Sequence, residues 1–218
     1  LKAIGREEEA KKELQKAVNL DNEFKYYLLF QADTLILNRK YKKAIPILLT
    51  FNNIDSFYKP YIHLQLATAY ENIKEIDRAI LEYKKLLKLK PKCPLVLNNL
   101  GRCYIEKGDL TLAKKYLREA VKLDSVSSDI HNNLGTYYSQ KGQIYNAISE
   151  FKKAIELNPC FLLARSNLAT CFALLGKLEE AKREFENILK INPDDEDVRG
   201  KLKRIKEELF LRRLNERD

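Results

Sequence analysis

Seven glycines and six prolines are few for 218 residues, and an all-β fold crowded with tight turns is excluded. Apolar runs such as Leu28-Leu29-Phe30 and Leu35-Ile36-Leu37 are short and sit in mixed sequence. None approaches the roughly 18 residues that a membrane-spanning helix takes. Histidine is scarce (His63 and His131), and the four cysteines are Cys93, Cys103, Cys160 and Cys171. No two cysteines form a CxxC pair and no cluster has zinc spacing, so neither a metal site nor a disulfide framework is expected. Reduced thiols in a cytoplasmic chain are the simplest reading. A nucleophile elbow, a P-loop, a dinucleotide fingerprint and a His–carboxylate motif are all missing. The segment is therefore expected to have no catalytic residues and no cofactor, and not to be an enzyme by itself. Methionine and tryptophan are absent, while Lys, Asn, Ile and Leu abound, which fits an AT-rich genome or an engineered consensus.

What is present is polar and periodic. Hydrophobic residues make up 45% of the chain and charged residues 33%, with a net charge of +9. A basic balance suits nucleic acid, an acidic surface or simply a lysine-rich solvated face. The position of the charge decides among these. Lysine pairs such as Lys84-Lys85, Lys114-Lys115 and Lys152-Lys153 fall where second helices of a repeat are expected, and many basic residues have acidic neighbours. Single-strand binding calls for a basic stripe interleaved with stacking aromatics. That pattern is missing, so nucleic acid is not the expected partner.

Aligning the chain with itself exposes a period of 34 residues, visible in Asn98-Asn99-Leu100-Gly101 against Asn132-Asn133-Leu134-Gly135. The column Leu66, Leu100, Leu134, Leu168 is in phase, followed by the small residues Ala67, Gly101, Gly135 and Ala169. The aromatics Tyr70, Tyr104, Tyr138 and Phe172 keep the same step, as do Ala79, Ala113, Ala147 and Ala181. Leu and the aromatic are four residues apart, which puts both on one helical face. The small residues allow a second helix to come close. Gly108, Gly142 and Gly176 fall where the first helix must stop, in a turn that favours φ > 0. Pro91, Pro159 and Pro193 close the second helix, because the residue before proline avoids the α region.

This pattern resembles the tetratricopeptide repeat (TPR) family over nearly the whole chain. The resemblance implies an all-α fold, a right-handed superhelical solenoid of antiparallel helix pairs with a C-terminal capping helix. The phase divides the chain into a partial unit at 1–24, mainly a second helix, a degenerate unit at 25–58, and units at 60–93, 94–127, 128–161 and 162–195. In the partial unit Gly5 falls at the turn, Ala10 at the packing alanine, and Ala17 and Leu20 on the apolar face. The missing first helix points to a fragment with further repeats upstream. Residues 196–218 carry Val198, Leu202, Ile205 and Leu209 as one apolar stripe with Lys203 in place of the small residue, as a polar-backed cap requires.

In the TPR family the first helix of each pair lines the concave face, and partners usually bind there. The residue before the repeated Leu faces that groove, and along the array it reads Phe30, Gln65, Asn99, Asn133 and Asn167. Three asparagines one repeat apart are similar to the asparagine ladder in the TPR region of O-GlcNAc transferase, where side-chain amides hold the backbone of an extended peptide. An amide offers donors and an acceptor that match a peptide group. Flanking positions add Tyr26 and Tyr61 beside Phe30, then Arg102 and Thr136, then Thr170. Three single hydrogen bonds supply at most about 4–5 kcal/mol, against about 8 for micromolar affinity, so side-chain pockets must add the rest. The resemblance thus implies a scaffold or adaptor that binds another protein or peptide. Two alternatives stay open: the docking arm of a larger enzyme whose catalytic domain lies elsewhere, and a structural scaffold that self-associates through Leu209, Phe210, Leu211 and Leu214 of its last helix or through its truncated first unit.

Overall fold

The computed structural model describes residues 22–51 and 58–215, and among these the chain forms helices and turns with no strand. The helices are α1 (Asn22–Leu37), α2 (Tyr41–Leu49), α3 (Lys59–Asn72), α4 (Ile76–Leu89) and α5 (Pro94–Lys107), then α6 (Leu110–Leu123), α7 (Ser128–Gln140), α8 (Ile144–Leu157), α9 (Leu162–Leu174), α10 (Leu178–Ile191) and α11 (Glu196–Asn215). Apart from residues 22–24, the partial unit expected at 1–24 lies outside the described residues, as does most of the loop before Lys59. The chain divides into two compact units, 1–107 and 108–218.

In the first unit α1 packs on α2, α2 on α3, α3 on α4 and α4 on α5. The second unit runs the same way from α6 to α11, with α7 also touching α9. The repeated columns explain this order. Leu66, Leu100 and Leu168 are buried, and Ala44, Ala79, Ala113, Ala147 and Ala181 are fully enclosed. Gly135 has its reason in the adjoining helix: a Cβ there would sit 2.6 Å from the ring of Phe151 on α8. Only a residue without a side chain lets α7 and α8 approach so closely.

Each hairpin turn contains one residue in the left-handed region. Gly108, Gly142 and Gly176 hold φ of 82°, 71° and 70°. The equivalent positions in the earlier repeats are not glycine: Arg39 and Lys74 adopt φ of 56° and 65°. The turns close with a paired hydrogen-bond motif. Gln143 N donates to Tyr138 O and Gly142 N to Ser139 O, and the same pair recurs at Lys177 and Gly176, at Glu75 and Lys74, and at Lys40 and Arg39. These bonds occupy carbonyls that a helix end leaves unsatisfied.

A second periodic device ties α7, α9 and α11 to the turn before each. His131 on α7 places Nδ1 2.7 Å from Glu150 Oε2 on α8, and its Nε2 donates to Ser125 O at 2.9 Å. One repeat later Arg165 donates to Glu184 Oε2 on α10 at 2.8 Å and to Pro159 O through Nε and Nη2. One further repeat on, Arg199 donates to Pro193 O at 3.0 and 2.6 Å. In the first unit His63 meets Glu82 at 2.6 Å in the same register.

The last helix is longer than the others. Val198, Leu202 and Ile205 complete the core formed by Ala181, Phe185 and Ile188. Beyond that stripe, Arg212 donates to Gly176 O at 3.1 Å and Arg213 to Glu179 Oε1 at 2.9 Å, so the final turns lie along the α9–α10 turn. Phe210 and Leu211 remain exposed. No helix among the described residues is long and apolar enough to cross a membrane.

Candidate functional site

The residues expected on the binding face fall into both units. In the first unit Tyr26 and Phe30 stand out from α1, 62% and 70% exposed, so neither is a core residue. Tyr61, half-buried on α3, turns toward α1 and donates its hydroxyl to Asp33 Oδ1. Burial first, and then the Asp33 carboxylate, push the Tyr61 phenol up to about 12. Gln65 hydrogen-bonds the same phenol. The Tyr58 hydroxyl donates to that of Tyr26 at 3.2 Å, which ties the exposed aromatic to α3.

Asn99 and Arg102, on α5, belong to a partly buried polar network, centred on the buried Glu71 and Tyr83, that is absent from the sequence-based expectations. Arg102 pairs with the carboxylate of Glu71 through both terminal nitrogens. Tyr83 of α4 donates to Glu71 Oε2 at 3.1 Å, and the Asn99 amide donates to Tyr83 Oη at 3.2 Å. Burial pushes the Glu71 carboxyl above its ordinary value, outweighing Arg102 and Tyr83, which act the other way. The same burial, with Glu71 nearby, raises the Cys103 thiol to about 12 and keeps it in the unreactive form. At the outer edge Lys74 reaches Glu106 at 2.7 Å. A signal for this network exists in the repeat phase. The column Glu71, Ile105, Ser139, Ala173 contains one acid, and the column Tyr83, Leu117, Phe151, Phe185 contains one hydroxyl.

In the second unit α7 and α9 lie side by side, and their amides form a chain. Asn167 Nδ2 donates to Asn132 Oδ1 at 3.1 Å, and Asn132 Nδ2 to Asn133 Oδ1 at 3.5 Å. Asn132, which the Leu-preceding column does not include, is therefore the link between two asparagines that it does include. Asn133 is buried, while Asn167 is partly exposed. Thr136 and Thr170 each return their hydroxyl to the carbonyl four residues back, on Asn132 and Ser166. Leu163 and Leu174 flank this row and are exposed. Among the described residues no three His, Cys, Asp or Glu side chains are grouped to hold a metal ion.

Known proteins show the same repeat. Three tetratricopeptide-repeat family models match residues 1–24 with 60–93, residues 93–158 and residues 138–205. The sequence matches no curated protein. Among solved structures the chain is similar to TTC0263, a thermophilic TPR protein of Thermus thermophilus, at TM-score 0.70 and 22% identity over 83% of this chain and 97% of that one. MamA of Desulfovibrio magneticus superimposes at TM-score 0.64 and 18% identity, over 78% and 96%. The first TPR of Spaghetti (RPAP3), bound to the HSP90 peptide SRMEEVD, is similar at TM-score 0.51 and 26% identity, over 53% and 92%.

Proposed function

We propose, from the premise that this chain belongs to the tetratricopeptide-repeat family, that it is an interaction scaffold that takes a peptide segment of a partner protein on the face lined by its first helices. The observation that carries the reading is the amide chain from Asn167 through Asn132 to Asn133. Internal hydrogen bonds hold these side chains in fixed rotamers, so ordering them against a ligand costs little further entropy. Asn132 and Asn133 are buried, so a peptide group meets the row at the partly exposed Asn167, where it exchanges one hydrogen bond for another. Asn99 and Arg102 extend the reading to the first unit, where the Arg102 side chain is 47% exposed on its solvent edge and keeps donors available to a partner carbonyl. The peptide-bound relative supports this reading, since a similar helical array there holds a short peptide.

Site-specific photo-crosslinking tests it. A benzophenone amino acid at Thr170, on the first-helix face, is expected to capture a partner from the source's lysate. The same group at Lys153, exposed on the second helix of its pair, is expected to capture nothing comparable. Replacing Asn99, Asn133 and Asn167 by alanine is expected to abolish the Thr170 adduct with helicity unchanged. Equal labelling from Lys153, or an adduct indifferent to the triple substitution, overturns the proposal.

A further inference from the structure

We infer that the outer flank of α11 pairs two copies of this chain, helix against helix and antiparallel, an inference that goes beyond the peptide-scaffold reading and does not depend on it. The repeat phase explains why this flank is open. One repeat on from Gly176, where the preceding pair turns, stands Phe210, and α11 runs through it to Asn215. At the position where Gly135 admits the ring of Phe151 on the second helix of its pair, the last unit has Lys203. The Lys203 side chain is 80% exposed. The side of α11 that meets a second helix in the earlier pairs is therefore turned to solvent.

That side carries a hollow and a knob that fit each other. The hollow, of about 410 Å³, is lined by Arg199, Leu202, Lys203, Lys206, Glu207 and Phe210. Much of its wall is the hydrocarbon stems of Lys and Arg. The knob is Phe210, exposed on the same face two turns beyond Lys203, with Leu214 exposed one turn further. A two-fold axis brings one patch onto its own copy. With that axis near Lys206, Phe210 of each copy lies over the hollow of the other, and Glu207 of each lies between Lys203 and Lys206 of the other. Within one copy Lys203 reaches Glu207 only at 4.0 Å, and both are exposed, so both can re-pair across the axis. A parallel pairing would set Lys203 on Lys203 and Glu207 on Glu207, so the charges select the antiparallel one. Two 20-residue helices, about 30 Å long, make an interface near the low end of stable ones, about 1,200 Å². The dimer is accordingly weak and concentration-dependent.

Sedimentation velocity on the whole chain, from micromolar to millimolar concentration, tests the inference. The parent is expected to pass from monomer to dimer and no further. Phe210→Ser, K203E/K206E and E207K are each expected to dimerise at least about tenfold more weakly. An equal mixture of K203E/K206E with E207K is expected to dimerise again, because each then meets opposite charge across the axis. These side chains are half or more exposed, and thermal melting checks that each variant is folded. Recovery in the mixture cannot come from a change in folding, since neither chain is altered by mixing. A parent that stays monomeric, a mass that keeps growing past the dimer, dimerisation indifferent to Phe210→Ser, or a mixture no better than its components overturns the inference.

Discussion

At the residue scale the repeat assigns one backbone task to five positions and meets it with two chemistries. Gly108, Gly142 and Gly176 take positive φ without a Cβ, whereas Arg39 and Lys74 carry one. A left-handed conformation costs an L-residue about 1–2 kcal/mol, part of which glycine returns through its freer unfolded chain. Arg39→Gly and Lys74→Gly are therefore expected to raise stability by about 0.5–1 kcal/mol each, and Gly142→Ala to lower it by about 1–2 kcal/mol. Urea unfolding at fixed pH checks the signs, and an Arg39→Gly variant no more stable than the parent refutes the strain argument. The three glycines were legible in the sequence because glycine announces its freedom. The arginine and lysine were not, because nothing in their chemistry asks for positive φ. Their place in the 34-residue phase is the signal. The asparagines divide in the same way. Their column could be read from the sequence, but the donation from Asn167 to Asn132, rather than to another member of the column, depends on how α9 sits on α7.

At the element scale, pattern carried most of the information. The packing alanines and leucines predicted which helix faces would be buried, since repeats duplicate a packing solution along with its residues. The polar ties were harder to read, because they pair residues of different type, 6 positions apart at the turn carbonyl and 19 apart at the glutamate. His131 and Arg165 look unlike, yet both bridge the preceding turn carbonyl and a glutamate on the second helix. Arg165 and Glu184 are largely buried, with side-chain exposures of 18% and 14%. Arg165→Ala is expected to cost about 1–3 kcal/mol, because it strands a partly buried carboxylate and the Pro159 carbonyl. Arg165→Ala/Glu184→Leu is expected to recover part of that loss, since no buried charge is then left unpaired. A double-mutant cycle of melting curves measures the coupling. A double variant as unstable as the sum of the two single ones rules out the bridge as its source.

At the scale of the whole molecule, cooperativity rests on contacts between helices that are near neighbours in sequence. In the second unit the substantial contacts between described helices join neighbours in sequence, with a lesser one between α7 and α9. Stability in such an array is the sum of each pair and its interfaces, so damage at an end stays near that end. The end that matters most is α11, because Val198, Leu202 and Ile205 close the core over Phe185 and Ile188. Burying three such side chains contributes on the order of 5 kcal/mol or more. Ending the chain after Pro193 therefore removes a large share of the α10 core and leaves the α7–α8 interface intact. Hydrogen exchange resolves the two cases. Amides of Leu178–Ile191 are expected to lose protection first and most, those of Leu162–Leu174 next, and those of Ser128–Gln140 least. Uniform loss across the unit would mean that the helices unfold as one block. In that case α11 would support distant helices through the whole unit, and a partner docked on the first-helix face would sense changes at the C-terminal end.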